Sequence, residues 1–318
     1  NKGAEAVLDA TKTAVTNVAG ILRNEGTANY DDMTIADGGK SENSGFEKGD
    51  ILTVATGAEH SNSGTSIWNN VTVEDGATST VEDGAKETIN DAYVVAGDRT
   101  NKGEVDATGV ENTQVTGTLD NQGTSNYDDM TVEAGGKSDN SGYEKGDILT
   151  IADGGEHTNS GTSIWNNQTV KEGGTSVTEE GGKETINDKY VIEGDKTNRG
   201  EVDANLDNQG KSEYDDMTIG DGGKSDNSGY EKGDILTIDK GGEHDNSGTS
   251  IWNNVVVAGG DVNNTGDIET EKLTIDDGLV NIGEGSLNAG ETDLNGGDLV
   301  IGNDKDKTPE NRVTAEIN

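Results

Sequence analysis

Three aspartate pairs, Asp31–Asp32, Asp128–Asp129 and Asp215–Asp216, each lead a third aspartate, Asp50, Asp147 or Asp234, by one 19-residue period. If the chain winds with that period, the carboxylates stack within ~5 Å of one another, which costs energy unless a positive charge sits between them. Ca²⁺ takes oxygen ligands of this kind, so these nine aspartates are the candidate metal ligands. The plainer reading is a solvated acidic flank, partly neutralised by Lys48, Lys145 and Lys232 of the recurring EKGD. The Ca²⁺-binding nonapeptide G-G-x-G-x-D-x-U-x does not occur in the sequence.

The three histidines, His60, His157 and His244, each follow a glutamate. Copies five coils apart are separated by ~24 Å and cannot share a metal with ligand bonds of ~2.0–2.3 Å. With no second His or Cys near any of them, they read as residues of solvated turns. Trp68, Trp165 and Trp252, the only tryptophans, all lie in NSGTSIWNN, at a template position shared with Tyr30, Tyr127 and Tyr214. These six aromatics either cover the core from a wide corner or form an exposed row for stacking on sugar rings or a partner, since aromatics often anchor interfaces. No nucleophile elbow, P-loop or HExxH is present. No catalytic residue or cofactor is assigned, and the chain reads as no enzyme. A polysaccharide-acting β-helix enzyme with a clustered carboxylate pair is the remaining catalytic alternative.

What positions these residues is repetition. The tryptophans are 97 and 87 residues apart, and the ten-residue difference falls where EVDATGVENTQVTGTLDNQG becomes EVDANLDNQG. Within each copy Gly26, Gly45 and Gly64, then Gly123, Gly142 and Gly161, then Gly210, Gly229 and Gly248 keep the same 19-residue period. Each coil holds a strand-like M-T-I, L-T-V or V-T-V, a glycine turn, a polar stretch and an Asn-Ser-Gly turn.

Residues two apart share a face of a strand. Met33, Ile35, Leu52, Val54, Val71 and Val73 therefore point inward, and Thr34, Thr53 and Thr72 outward. One coil cannot bury its apolar face alone; stacked coils complete a narrow core and a parallel ladder. About fifteen coils at ~4.8 Å span ~70 Å. Glycines are expected to supply positive φ at tight corners. Asn43, Asn62, Asn140, Asn159, Asn227 and Asn246 are expected to stack as an amide ladder. The ten-residue deletion amounts to half a coil and should turn everything downstream by half a turn, which two quasi-equivalent faces would tolerate.

Composition agrees with a thin repetitive fold. The 318 residues are 28% hydrophobic with 48 glycines and one proline, against ~45–50% apolar for a globular domain. Sixty-three acidic against 23 basic residues give a charge of −40. That excludes a nucleic-acid footprint and docking on anionic lipid. No apolar run approaches ~18 residues, so no segment inserts in a membrane as a helix, and without cysteine there is no disulfide framework. Helical repeats fail, because glycine every few residues would cost ~1 kcal/mol each. The stretch 4–22 alone is ambiguous.

The run GTSIWNNVTVEDGATSTVEDGAKETINDAYVVAG resembles the 19-residue-type repeats of AIDA-type autotransporter adhesins, with their TTV-x-x-GGT phrases. LDNQG, and NSG followed by DILTI, are similar to the L-x-N-x-G and DLTL phrases of filamentous haemagglutinin repeats. The resemblance covers about residues 20–300. It implies an exported passenger on a Gram-negative surface, a right-handed coil, and a role in adhesion, self-association or biofilm formation.

The resulting expectation is an all-β, right-handed parallel β-helix (β-solenoid) with a 19-residue coil. Residues 1–25 form an N-terminal coil or cap. Residues 26–257 form the solenoid, in long repeats 26–122, 123–209 and 210–257 (partial), and 258–318 are divergent terminal coils or a cap. The expected function is that of an extracellular, bacterial cell-surface adhesin or stalk, with itself, a glycan or a host surface as partner and Ca²⁺ as the one candidate ion. A self-assembling fibre or surface-layer subunit is the structural alternative.

Overall fold

The computed structural model describes residues 7–199, 201–214 and 216–302 and the backbone of 315–317. Every regular element among them is a strand, and every strand pairing is parallel. The protein is a parallel β-solenoid. It divides into two compact units, 1–166 and 167–318.

In the first unit the coil has three ladder segments. Strand Thr27–Ile35 contributes two. Thr27–Asn29 pair with Phe46–Lys48 and Asp32–Ile35 with Ile51–Val54, with a bend between that leaves residues 30 and 31 out of this pairing. Strand Lys40–Asn43 is the third, pairing with Glu59–Asn62. Met33, Ile35, Leu52, Val54, Val71 and Val73 are fully buried, as their alternation requires. Residues 7–24 enter the ladder too, Leu8 beside Ala28 and Ile21 beside Lys40, with a register shift between Ala10 and Val15.

The corners use glycine in two ways. In the turn between second and third segments Gly38, Gly57 and Gly76 sit at φ +70° to +76°, a region closed to most L side chains. The Asn-Ser-Gly corner needs glycine for a different reason: a Cβ on Gly64 would lie 2.1 Å from the Gly45 carbonyl oxygen one coil below. The positive-φ expectation thus holds at one corner, and close backbone approach governs the other. Beside that second corner runs the amide ladder. Asn24 Nδ2 donates to Asn43 Oδ1 (2.8 Å) and Asn43 to Asn62 (2.9 Å). Val81 interrupts the ladder, and Asn101, Asn121, Asn140 and Asn159 form a second run at 2.8–3.0 Å. Asn24, Asn43, Asn62, Asn101 and Asn159 also accept, through Oδ1, from the glycine N–H two residues on, as in Asn43 to Gly45 (3.2 Å). Buried amides are retained because these partners are supplied.

The second unit contains the deletion, and there the half-turn expectation is corrected. Leu206–Asn208, of third-segment type, pairs below with Tyr190–Ile192, a second segment, and above with Ser225–Asn227, a third-segment sequence. Lys211–Tyr214, of first-segment type, pairs with the third segment Asp195–Asn198 and then with Tyr230–Lys232. The coil has three segments, so ten residues remove one of them and shift the downstream chain by one segment in three. All three segment types place inward residues at alternate positions, so the exchange keeps core residues in the core. Beyond it, strands Thr249–Asn264 and Asp267–Ile282 fuse all three segments through bulges.

Candidate functional site: a charged interior

The interior is not purely apolar. Two facing columns of the ladder carry charge. One runs Ser41, His60, Ser79, Arg99 in successive coils; the other runs Ala28, Glu47, Ser66, Glu87. Each buried glutamate meets one cationic or potentially cationic side chain from the third segment of its own coil. In the first unit Glu47 Oε1 lies 3.1 Å from His60 Nε2, Glu144 Oε1 lies 3.3 Å from His157 Nε2, and Glu87 pairs with Arg99. In the second unit Glu184 lies 2.5 Å from Lys196 and Glu231 lies 3.2 Å from His244. All ten are at most 2% exposed.

This overturns the solvated-turn reading of His60, His157 and His244. The reason is parity: His60 lies two residues before Asn62, whose amide is buried, so the two share a face. Glu47 stands at the template position of Ala28 and Ser66.

The aromatics belong to the same interior. Trp68, Trp165 and Trp252 are at most 2% exposed, and Tyr30, Tyr127 and Tyr214 at most 6%. Each Trp stacks on the Tyr two coils below, with centroids 5.8–5.9 Å apart. The glycine of EKGD makes this possible: Gly49, Gly146 and Gly233 lie between the rings, and a Cβ on any of them would sit 2.2 Å from the indole Cζ3. Trp68 Nε1 donates to Ser66 Oγ (2.7 Å), which donates to Glu47 Oε1 (3.0 Å). Ser163 with Glu144 and Ser250 with Glu231 repeat the relay. An exposed stacking row is therefore not what these six residues form; the indoles fill glycine gaps and feed a buried hydrogen-bond chain.

Burial sets the protonation of this interior. It raises the Tyr30 phenol to about 12, with the Glu47 charge adding to the shift. Tyr93, Tyr127, Tyr190 and Tyr214 are raised by burial as well. Burial lowers Arg99 to about 10 and also lowers Lys196, the latter opposed by Glu184. Arg99 donates to Ser79 and to Tyr93 Oη (3.1 Å), while Lys196 Nζ reaches Thr178 Oγ1 at 2.7 Å. One fragment, Ser79–His60–Glu47, has the connectivity of a hydrolase triad, with His60 Nδ1 3.3 Å from Ser79 Oγ. All three side chains are buried and Arg99 also holds Ser79, so no substrate carbonyl reaches the hydroxyl. The arrangement retains charge inside a core too thin to be filled by hydrocarbon alone.

The aspartates lie outside. Ligand oxygens of Asp31, Asp32 and Asp50 come within 4.8 Å of one another, as do those of Asp128, Asp129 and Asp147. Asp50 and Asp147 each accept from an Asn side chain one coil above, Asn69 and Asn166, at 2.8 Å. Asp129 is raised by partial burial, with Asp128 and Asp147 adding to it. Asp216 and Asp234 are exposed, and Asp234 accepts from Asn253 at 2.8 Å. Asp215 lies outside the described residues. The lysines of EKGD do not neutralise these carboxylates: Lys232 pairs with Glu213 at 3.2 Å, and Lys48 and Lys145 make no ion pair among the described residues.

No family model and no curated protein matches the chain. Among solved structures it is similar to the crystal structure of the TibC-catalysed, hyper-glycosylated TibA fragment 55–350, at 18% identity over 94% of this chain and 96% of that chain, with a TM-score of 0.32. A likeness of that degree carries no functional argument.

Proposed function

We propose that the chain is an extracellular, bacterial cell-surface solenoid of the adhesin or stalk kind, acting by repeated surface contact rather than by catalysis. One observation carries this reading. The long repeats return the same outward side chains to equivalent coil positions over a buried interior. In the first unit the Asp31–Asp32–Asp50 trio and its copy Asp128–Asp129–Asp147 are the clearest case. Three converging carboxylates supply part of the six to eight oxygen ligands Ca²⁺ takes. A cation bridging such trios on two molecules would also offset the repulsion expected at a charge of −40. The 19-residue repeats resembling autotransporter passengers support the same assignment.

Sedimentation velocity with millimolar Ca²⁺ and with chelator tests it. Association in Ca²⁺ that disperses in chelator, and that Asp50→Asn with Asp147→Asn abolishes, is the expected result. Failure of cells displaying the chain to attach or cluster in either buffer would remove the adhesive reading.

A further inference from the structure

The outer face of the first segments carries side chains that the core does not use. Phe46 stands there between Thr27 and Thr65, and Lys48 between Asn29 and Ile67. In the next repeat Tyr143 and Lys145 take the same places, above Thr124 and Asn126. Phe46 and Tyr143 are partly exposed, whereas Lys48 and Lys145 are exposed. The backbone beneath each ring is pinned by the amide ladder: Asn24 Nδ2 donates to the Phe46 carbonyl at 2.8 Å and Asn121 Nδ2 to that of Tyr143 at 2.9 Å. These rings are presented on a rigid edge, which lowers the ordering cost of binding.

The charge at this face runs against the rest of the molecule. In the same unit Lys40, Lys86, Lys102 and Lys137 each hold a carboxylate at 2.6–3.4 Å. Lys48 and Lys145, in a chain with 63 acidic residues, make no such pair among the described residues. Each stands two residues from its ring, ~6.6 Å along the strand. An uncommitted ammonium beside a flat apolar ring complements a ligand with an apolar face and a carboxylate. At physiological salt charges more than ~8 Å away are largely screened, and the carboxylate two residues on, Asp50 or Asp147, accepts from Asn69 or Asn166 at 2.8 Å rather than from the lysine.

We propose that Phe46 with Lys48 and Tyr143 with Lys145 are two subsites for the acidic sugar residues of a glycan, a uronate ring stacking on the aromatic and its carboxylate pairing with the ammonium. The proposal deepens the surface-solenoid reading by naming a ligand class. The subsites lie ~24 Å apart, five coils at ~4.8 Å, so one glycan strand engages both and gains from effective concentration. The second unit supplies an internal control. There Tyr230 and Lys232 repeat the pair, but the sequence places Glu213 where Asn29 and Asn126 stand in the earlier copies, and it lies 3.2 Å from Lys232 Nζ. That cation is already neutralised, so the third copy does not bind.

Isothermal titration of the full chain with an oligogalacturonate, beside a neutral galactan oligomer, tests this. The expected result is binding of the uronate alone, weakened by added salt. Lys48→Gln with Lys145→Gln, and separately Phe46→Ala with Tyr143→Ala, weaken it about tenfold or more, the size of a lost charge-assisted contact. Tyr230→Ala leaves it unchanged. All are outward substitutions, and retention of the β circular-dichroism spectrum verifies the fold of each variant. Equal binding of galactan, no binding of uronate, insensitivity to the lysine changes, or loss through Tyr230→Ala would each overturn the proposal. Cell attachment that persists without uronate binding sinks this inference and spares the surface-solenoid reading.

Discussion

Trp68, Gly49 and Tyr30 are three residues of one decision. The indole occupies space that a glycine vacates, and the phenol ring closes the other side at 5.9 Å. Gly146→Ala therefore pushes a methyl into Trp165, and overpacking of this kind costs about 1–3 kcal/mol. Gly20→Ala, where a Cβ meets nothing within 4 Å, serves as the control. Urea denaturation should show a lower midpoint for the first and little change for the second. The ion pairs follow another rule at the same scale. Arg99→Ala leaves Glu87 charged and buried, a loss of about 3–5 kcal/mol. Glu87→Leu with Arg99→Met removes both charges and should recover most of it. A double variant no more stable than Arg99→Ala would mean that Ser79 and Tyr93, rather than the carboxylate, need the guanidinium. Parity with Asn62 was the sequence signal for the inward direction of His60 that the solvated-turn reading passed over. The pairing of Glu47 with His60 was not legible in the sequence, because it joins the first segment to the third across the interior.

A coil segment is the unit that the deletion exposes. First-, second- and third-segment sequences replace one another in the ladder because all share inward alternation. Replacing EVDANLDNQG at 201–210 with EVDATGVENTQVTGTLDNQG should then restore the segment order of the first repeat without loss of folding. The expected outcome is a cooperative unfolding transition and a β spectrum like those of the parent. A broad transition, or protease cleavage at the insert, would show that segment order matters beyond alternation. The coil period and the direction of Met33 and Ile35 were readable along the chain. The number of segments per coil was not, since strand Thr27–Ile35 bends without a glycine or proline to mark it.

For the whole molecule the shifted phenols dominate behaviour in alkali. A tyrosine whose folded value is raised keeps its proton where the unfolded chain has lost it. Its stabilisation is complete below pH 10 and, for Tyr30, is lost as pH climbs to about 12. Arg99, lowered from 12.5 to about 10, acts oppositely above its folded value, and so does Lys196. Five raised tyrosines oppose two lowered cations, so net stability should fall steeply above pH 10. Phenolate absorbance should rise for these five together with loss of the β signal. Ionisation of all seven tyrosines before any unfolding would contradict the burial assigned to them.

The sequence by itself determined the period, the strand alternation, the amide ladder and the acidic surface, because each of these is set by residues close in the chain or one coil apart. Tertiary structure alone decided that Trp stacks on Tyr across a glycine, that five glutamates meet three histidines, an arginine and a lysine inside, and that Phe46, Tyr143 and Tyr230 are rings left partly outside. These depend on which faces the bend in each coil turns inward, and strand Thr27–Ile35 bends with no glycine or proline to mark it.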